Sequence, residues 1–196
     1  AAYVFTRSNG VWSQQQKLVP GVGNPRDFFG AAVAVDGDTI VVGSTGSDVN
    51  GAEDQGAAYV FTRTGPAWTQ QQQLLAGDGK AGDRFGVDVA VQGDTGVIGA
   101  TGGTAIGDPI AGAAYVFTRS GATWSEQQRL AAPESELRDF FGRGLALQGD
   151  LLAIGAYGTD AGENTLQGAV HLFARQAGAW HHQQRITTDD GNAGTG

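Results

Sequence analysis

The residues best suited to chemistry in this chain are carboxylates and amides gathered in loops. Asp48, Asn50, Glu53 and Asp54 crowd the segment "GSTGSDVNGAEDQG", and Asp160, Glu163 and Asn164 occupy the matching segment "GAYGTDAGENTLQG". Oxygen donors packed this closely suit a hard cation, which takes roughly six to eight of them. The segment between, "GATGGTAIGDPIAG", lacks the cluster, so a solvated acidic loop is the competing reading. His171, His181 and His182 all lie late in the chain. They read as drift on a wet surface, with a two-histidine metal site as the alternative. No Ser-His-Asp grouping has supporting spacing, and no phosphate-binding loop leads from a strand into a helix. The chemistry on offer is binding chemistry, and no grouping of residues points to catalysis.

The elements that must position these loops are written in a repeat. Trp12, Trp68, Trp124 and Trp180 stand 56 residues apart, and Phe29, Phe85 and Phe141 keep the same step. The 196 residues hold three and a half such periods without insertion or deletion. A fixed period of this size marks stacked supersecondary units. Each unit predicts four strands, illustrated by "GAAVAV" (30–35), "TIVVG" (39–43), "AAYVFTR" (57–63) and "WTQQQQLL" (68–75). "DGD" or "QGD" makes the first hairpin turn, and Asp38, Asp94 and Asp150 are expected to bond nearby turn amides. Val33 and Val35 face one way and Ala34 the other, so both faces of the first strand should be covered. The glutamine-rich fourth strand reads as outer and partly solvated. Asp27, Asp83 and Asp139 should cap the turn into the first strand. Phe29, Phe85 and Phe141 should be core, and Phe28 and Phe140 should not. The tryptophans read as packing against a neighbouring unit, in preference to a ring of sugar-stacking platforms.

No window shows sustained helical spacing, so the fold class is all-β. Polarity rises from the first strand to the fourth, as in a β-propeller of four-stranded blades, about 3.5 of them here; a β-solenoid is second choice. The divisions are an outer half-blade (1–25), blades at 26–81 and 82–137, and a blade with lead-in to a further repeat (138–196), all in one domain. The 33 glycines, without a collagen triplet, fit many tight turns. A net charge of -8 argues against nucleic acid and anionic membrane surfaces as partners. No apolar run reaches the roughly 20 residues a membrane span needs. With no cysteine in the chain, disulfides and thiol chemistry are absent.

The pairs Phe29-Gly30, Phe85-Gly86 and Phe141-Gly142, each followed by "VGS" or "IGA", resemble FG-GAP repeats, most closely the bacterial branch. The resemblance implies a propeller like the head of integrin α subunits, usually of seven blades. It implies adhesion or ligand binding by secreted or surface proteins. It also implies calcium in an expanded loop between the first two strands. Here that loop has shrunk to "DGD" or "QGD", too short to supply the oxygens. No cofactor is therefore expected, and any calcium would fall to Asp48, Asn50, Glu53, Asp54, Asp160 and Glu163.

The function expected is non-enzymatic: an extracellular or cell-surface binding, adhesion or assembly module. Its partner would be a protein or glycan, or other copies through exposed strand edges. A propeller-fold polysaccharide lyase or hydrolase is the alternative. Residues 1–25 supply only third and fourth strands, so the polypeptide is expected to continue on both sides, to ~400 residues if seven blades apply. Edge-to-edge assembly of copies is the other expectation.

Overall fold

A computed structural model describes residues 1–102, 112–134, 138–160 and 166–187. Fourteen strands and no helix occur among them. The first sheet has two antiparallel strands, β1 (Ala2–Ser8) and β2 (Val11–Leu18). Three four-stranded antiparallel sheets follow. One holds β3 (Phe29–Asp36), β4 (Thr39–Ser44), β5 (Ala57–Thr64) and β6 (Ala67–Leu74). The next holds β7 (Val89–Gln92), β8 (Thr95–Ala100), β9 (Ala113–Ser120) and β10 (Thr123–Leu130). The last holds β11 (Gly144–Gln148), β12 (Leu151–Ala156), β13 (Ala169–Gln176) and β14 (Ala179–Ile186). In each, spatial order follows chain order, as short hairpins dictate. All four expected strand types form, within three residues of where period-two patterning put them.

The core lies between sheets. One face of β4 and β5, through Ile40, Val42, Tyr59 and Phe61, packs back on the two-stranded sheet with Leu18 and Trp68. Their other face, through Val41, Ala58 and Val60, packs forward on Phe85, Ile98, Tyr115, Phe117 and Trp124. The same alternation joins the last two sheets through Val97, Val116, Phe141, Ile154, Phe173 and Trp180. Within each sheet, the phenylalanine of the FG pair meets two rings of the third strand edge-on. Phe85 lies 5.4 Å from Tyr115 and 6.1 Å from Phe117, and Phe141 lies 5.4 Å from His171 and 6.1 Å from Phe173. Such edge-to-face pairs add to the burial that already stabilises the core.

Glycine makes the close approach between sheets possible. A Cβ on Gly43 would stand 1.9 Å from the carbonyl oxygen of Gly86, and one on Gly99 the same distance from that of Gly142. Gly86 and Gly142 hold φ of 94° and 93°, backbone that L side chains rarely adopt. The FG pair of one unit is thus seated on the second-strand glycine of the unit before it. Parallel bridges Gly56–Phe85 and Gly112–Phe141 complete the seam.

Burial departs from expectation on the first strand. Val33 and Val35 are exposed, whereas their counterpart Val89 is buried. They face the two-stranded sheet, which offers no first and second strands to cover them. For the same reason Phe29 is only half-buried while Phe85 and Phe141 are fully enclosed.

Candidate functional site: the loop end and its groove

The fourth strand is less wet than its glutamines suggest. In each sheet the pairing of third and fourth strands slips by one residue, leaving Gln15, Gln71, Gln127 or Gln183 as the extra residue of a β-bulge. The next glutamine along reaches the following unit. The Gln16 side chain donates to the Trp68 carbonyl (2.7 Å) and accepts from the Trp68 amide (2.8 Å). Gln72 treats Trp124 in the same way, and Gln128 treats Trp180. The bulged Gln15 and Gln71 accept from the indole N–H of Trp68 and Trp124. On the other face Gln70 accepts from the Gly21 amide and Glu126 from the Gly77 amide. Trp68, Trp124 and Trp180 are buried in these joints, while Trp12, in the two-stranded sheet, is 65% exposed.

Asp38, Asp94 and Asp150 also serve the frame, though not as turn caps. Their carboxylates accept from the Nε of Arg63, Arg119 and Arg175, each at 2.7 Å. This corrects the expectation: the partner is a third-strand guanidinium, a stronger charge-assisted donor than a turn amide. The arginines stack over Trp68, Trp124 and Trp180 at 5.4, 5.0 and 5.3 Å. Arg119 and Arg175 further donate to Thr39 and Thr95 of the preceding unit. Asp27 and Asp83 do close the turn before the first strand, accepting from the amides of Asn24 and Lys80 at 2.7 Å.

The acidic loops are organised by their own amides. Asp48 accepts from the Asp54 amide (2.9 Å) and Asp160 from the Leu166 amide (2.8 Å). Asn50 and Asp54 take left-handed backbone, with φ of 51° and 50°. The carbonyls of Glu53, Asp54 and Gln55 accept from the amides of Gly82, Arg84 and Phe85, so the loop anchors the lead-in to the next unit. Among the described residues no three His, Cys, Asp or Glu side chains converge as metal ligands. Glu163 and Asn164 lie outside the described residues.

His171 is not on a wet surface. It replaces the tyrosine found at positions 59 and 115, is 2% exposed, and its Nδ1 lies 3.2 Å from Nε2 of His182. Burial pushes its pKa below the ordinary imidazole value; the charges of His182 and Arg185 push the same way, and those of Asp139 and Glu134 oppose them. The folded state therefore disfavours the proton. The resulting stability is present in full above the unfolded value of about 6.5 and is lost as pH falls through the depressed folded value. His171→Tyr should lessen the loss of Tm between neutral and mildly acid pH. Parallel melting curves that fall equally in both proteins would refute this.

One feature of the loop end left no single-position mark in the sequence. Lead-in and second-strand loops of all three four-stranded units meet at a groove of about 510 Å³ lined by Phe28, Asp54, Arg84, Phe140, Arg143 and Tyr157, among others. Positions 28, 84 and 140 are equivalent in the repeat, as are 87 with 143 and 45 with 157. The Phe140 and Tyr157 rings stack with centroids 4.8 Å apart and planes 1° from parallel. Phe28 and Tyr157 remain exposed.

Stacked four-stranded sheets, joined by a repeated glycine seam and glutamine clamp, define a repeat protein whose loop end is its variable surface. The chain belongs to the FG-GAP repeat family: the family's repeat matches residues 12–61, 68–117 and 124–173. Each matched stretch runs from a fourth-strand tryptophan to the next unit's third-strand phenylalanine, so it spans a joint between sheets. No curated protein matches the chain.

Proposed function

We propose that the chain works as a β-propeller-type binding module outside the cell or at its surface, without catalysis of its own. The observation that carries this reading is the use already made of the recurring polar residues. Asp38, Asp94 and Asp150 are committed to arginine, Asp27 and Asp83 to turns, and Gln16, Gln72 and Gln128 to the clamp. What differs between units is concentrated in loops, where a rigid frame presents binding residues. The order of the sheets, each with its first strand at one edge and its glutamine-rich strand at the other, supports the propeller reading. Family membership supports adhesion and an extracellular setting by analogy of fold.

A glycan and protein-ligand array on the intact protein tests the proposal. Retention of a ligand without turnover is expected, and release of shortened polysaccharide would replace this reading with a lyase or hydrolase. Calcium is not expected to hold the fold together, because Asp48 and Asp160 already bind amides of their own loops. Excess chelator should leave Tm unchanged; a fall of several degrees that calcium reverses would establish a stabilising cation.

A further inference from the structure

We propose that the loop-end groove binds a carboxylated saccharide of the uronic-acid type, with Arg84 and Arg143 taking carboxylates and the exposed faces of Phe28 and Tyr157 taking sugar rings. The inference rests on the binding-module reading and names the ligand class for that module. Charge is the first support. The chain as a whole is acidic; five arginines, Arg63, Arg119, Arg129, Arg175 and Arg185, are ion-paired, and of those that are not, two converge on this groove. Arg84 and Arg143 line the groove with no ion pair among the described residues, and Asp54, the carboxylate beside them, pairs with neither. Two unpaired guanidinium forks in one groove are donors for planar, bidentate oxygen acceptors.

Backbone strain is the second support. Phe28, Arg84 and Phe140 sit at φ of 53°, 54° and 52°, left-handed backbone that bulky side chains seldom occupy. The turn recurs, so its shape belongs to the frame; glycine or asparagine would fit it at less cost. Packing does not explain the choice of residue at Phe28, which is 65% exposed, nor at Arg84, which is exposed as well. A rule broken locally without a packing gain points to function.

Internal variation is the third. Position 29 and its equivalents are always Phe, and positions 30, 43 and 46 and their equivalents are always Gly. Between them, positions 28, 84 and 140 read Phe, Arg, Phe; positions 31, 87 and 143 read Ala, Val, Arg; positions 45, 101 and 157 read Thr, Thr, Tyr. The variable residues Phe28, Arg84, Val87, Phe140, Arg143 and Tyr157 line the groove together with the invariant Gly46 and Gly102. Flat aromatic faces beside arginine forks match a ring with an apolar C–H face and a carboxylate at its edge. An acidic peptide would satisfy the arginines but leave the rings with no flat partner.

Calorimetric titration of the intact protein with a short oligogalacturonate tests this, beside its methyl ester and a short oligoglutamate. Only the free oligogalacturonate should bind well. Arg84→Ala and Arg143→Ala should each weaken it about tenfold or more, since a hydrogen bond to a charged group contributes about 1.5–3 kcal/mol. Phe28→Ala should weaken it several-fold, and Arg7→Ala, on the two-stranded sheet, should change nothing. All four side chains are exposed, so an unchanged Tm should confirm folding. No binding of oligogalacturonate, equal binding of the ester or of oligoglutamate, or an equal loss from Arg7→Ala would overturn the inference. A failure to bind leaves the module reading standing, whereas cleavage of the bound oligomer would retain the site and overturn the non-enzymatic reading.

Discussion

Gly99→Ala should destabilise the protein by about 3 kcal/mol or more, lowering Tm by roughly 6–12 °C, while Gly155→Ala should leave Tm almost unchanged. The two glycines are equivalent in the repeat and lie on the second strands β8 and β12. They differ in what stands opposite. The new methyl at position 99 would lie 1.9 Å from the Gly142 carbonyl oxygen, a backbone atom of a residue whose own amide donates to the Gly155 carbonyl. Neither side can yield without opening the seam between the second and third four-stranded sheets. At position 155 the nearest atom is 3.7 Å away, an ordinary contact. Alanine there even restricts the unfolded chain slightly, which offsets any small loss. Thermal unfolding of both variants checks the claim. Equal destabilisation would mean that strand geometry, and not the seam, demands glycine.

The second large effect is expected in the core. Phe85→Ala or Phe141→Ala should cost ~3–5 kcal/mol, because each ring is fully enclosed and touches two other rings that cannot collapse into the space left. Phe29→Ala should cost less, since that ring is half-buried beside the two-stranded sheet. Phe28→Ala should stay within about 0.5 kcal/mol. Urea unfolding of the four variants gives the order directly. A cost at Phe28 matching that at Phe85 would contradict the register in which the FG pair turns one ring inward and its neighbour outward.

Strand positions were legible because alternation and a constant period are local properties, and Val41 or Phe61 announces its burial by residue type. The duties of the polar residues were not. Asp38 looks like a turn residue until Arg63, 25 residues later, is brought beside it. The glutamine run looks solvated until the bulge aims Gln15 and Gln16 at a tryptophan in another sheet. His171 resembled surface drift because its neighbours in sequence are not its neighbours in space; the buried tyrosines at positions 59 and 115 were the available clue. The acidic cluster around Asp48 was visible, but its hydrogen bond to the Asp54 amide was not. The groove drew nothing from its separate residues, since Phe28, Arg84 and Phe140 acquire meaning only when three loops converge. A column of unequal residues between columns of identical ones would have revealed it.

The glutamine clamp has a consequence for how such a chain diversifies. Each clamp joins a side chain common to all units to the main chain of a tryptophan common to all units. Nothing in the clamp itself therefore distinguishes one neighbour from another; only the bulged residue beside it varies, Gln15 and Gln71 accepting from an indole N–H where Gln127 donates to the Gly178 carbonyl. Exchange residues 26–81 with 82–137, and Gln16 meets Trp124, Gln128 meets Trp68, and Gln72 meets Trp180, with the same bonds available at every step. The groove does not survive the exchange unaltered, because Arg84 and Val87 trade places with Phe28 and Ala31. Recombination between units thus permutes the lining of the groove while leaving the glutamine clamps the same, so the surface can change without compensating substitutions in the joints.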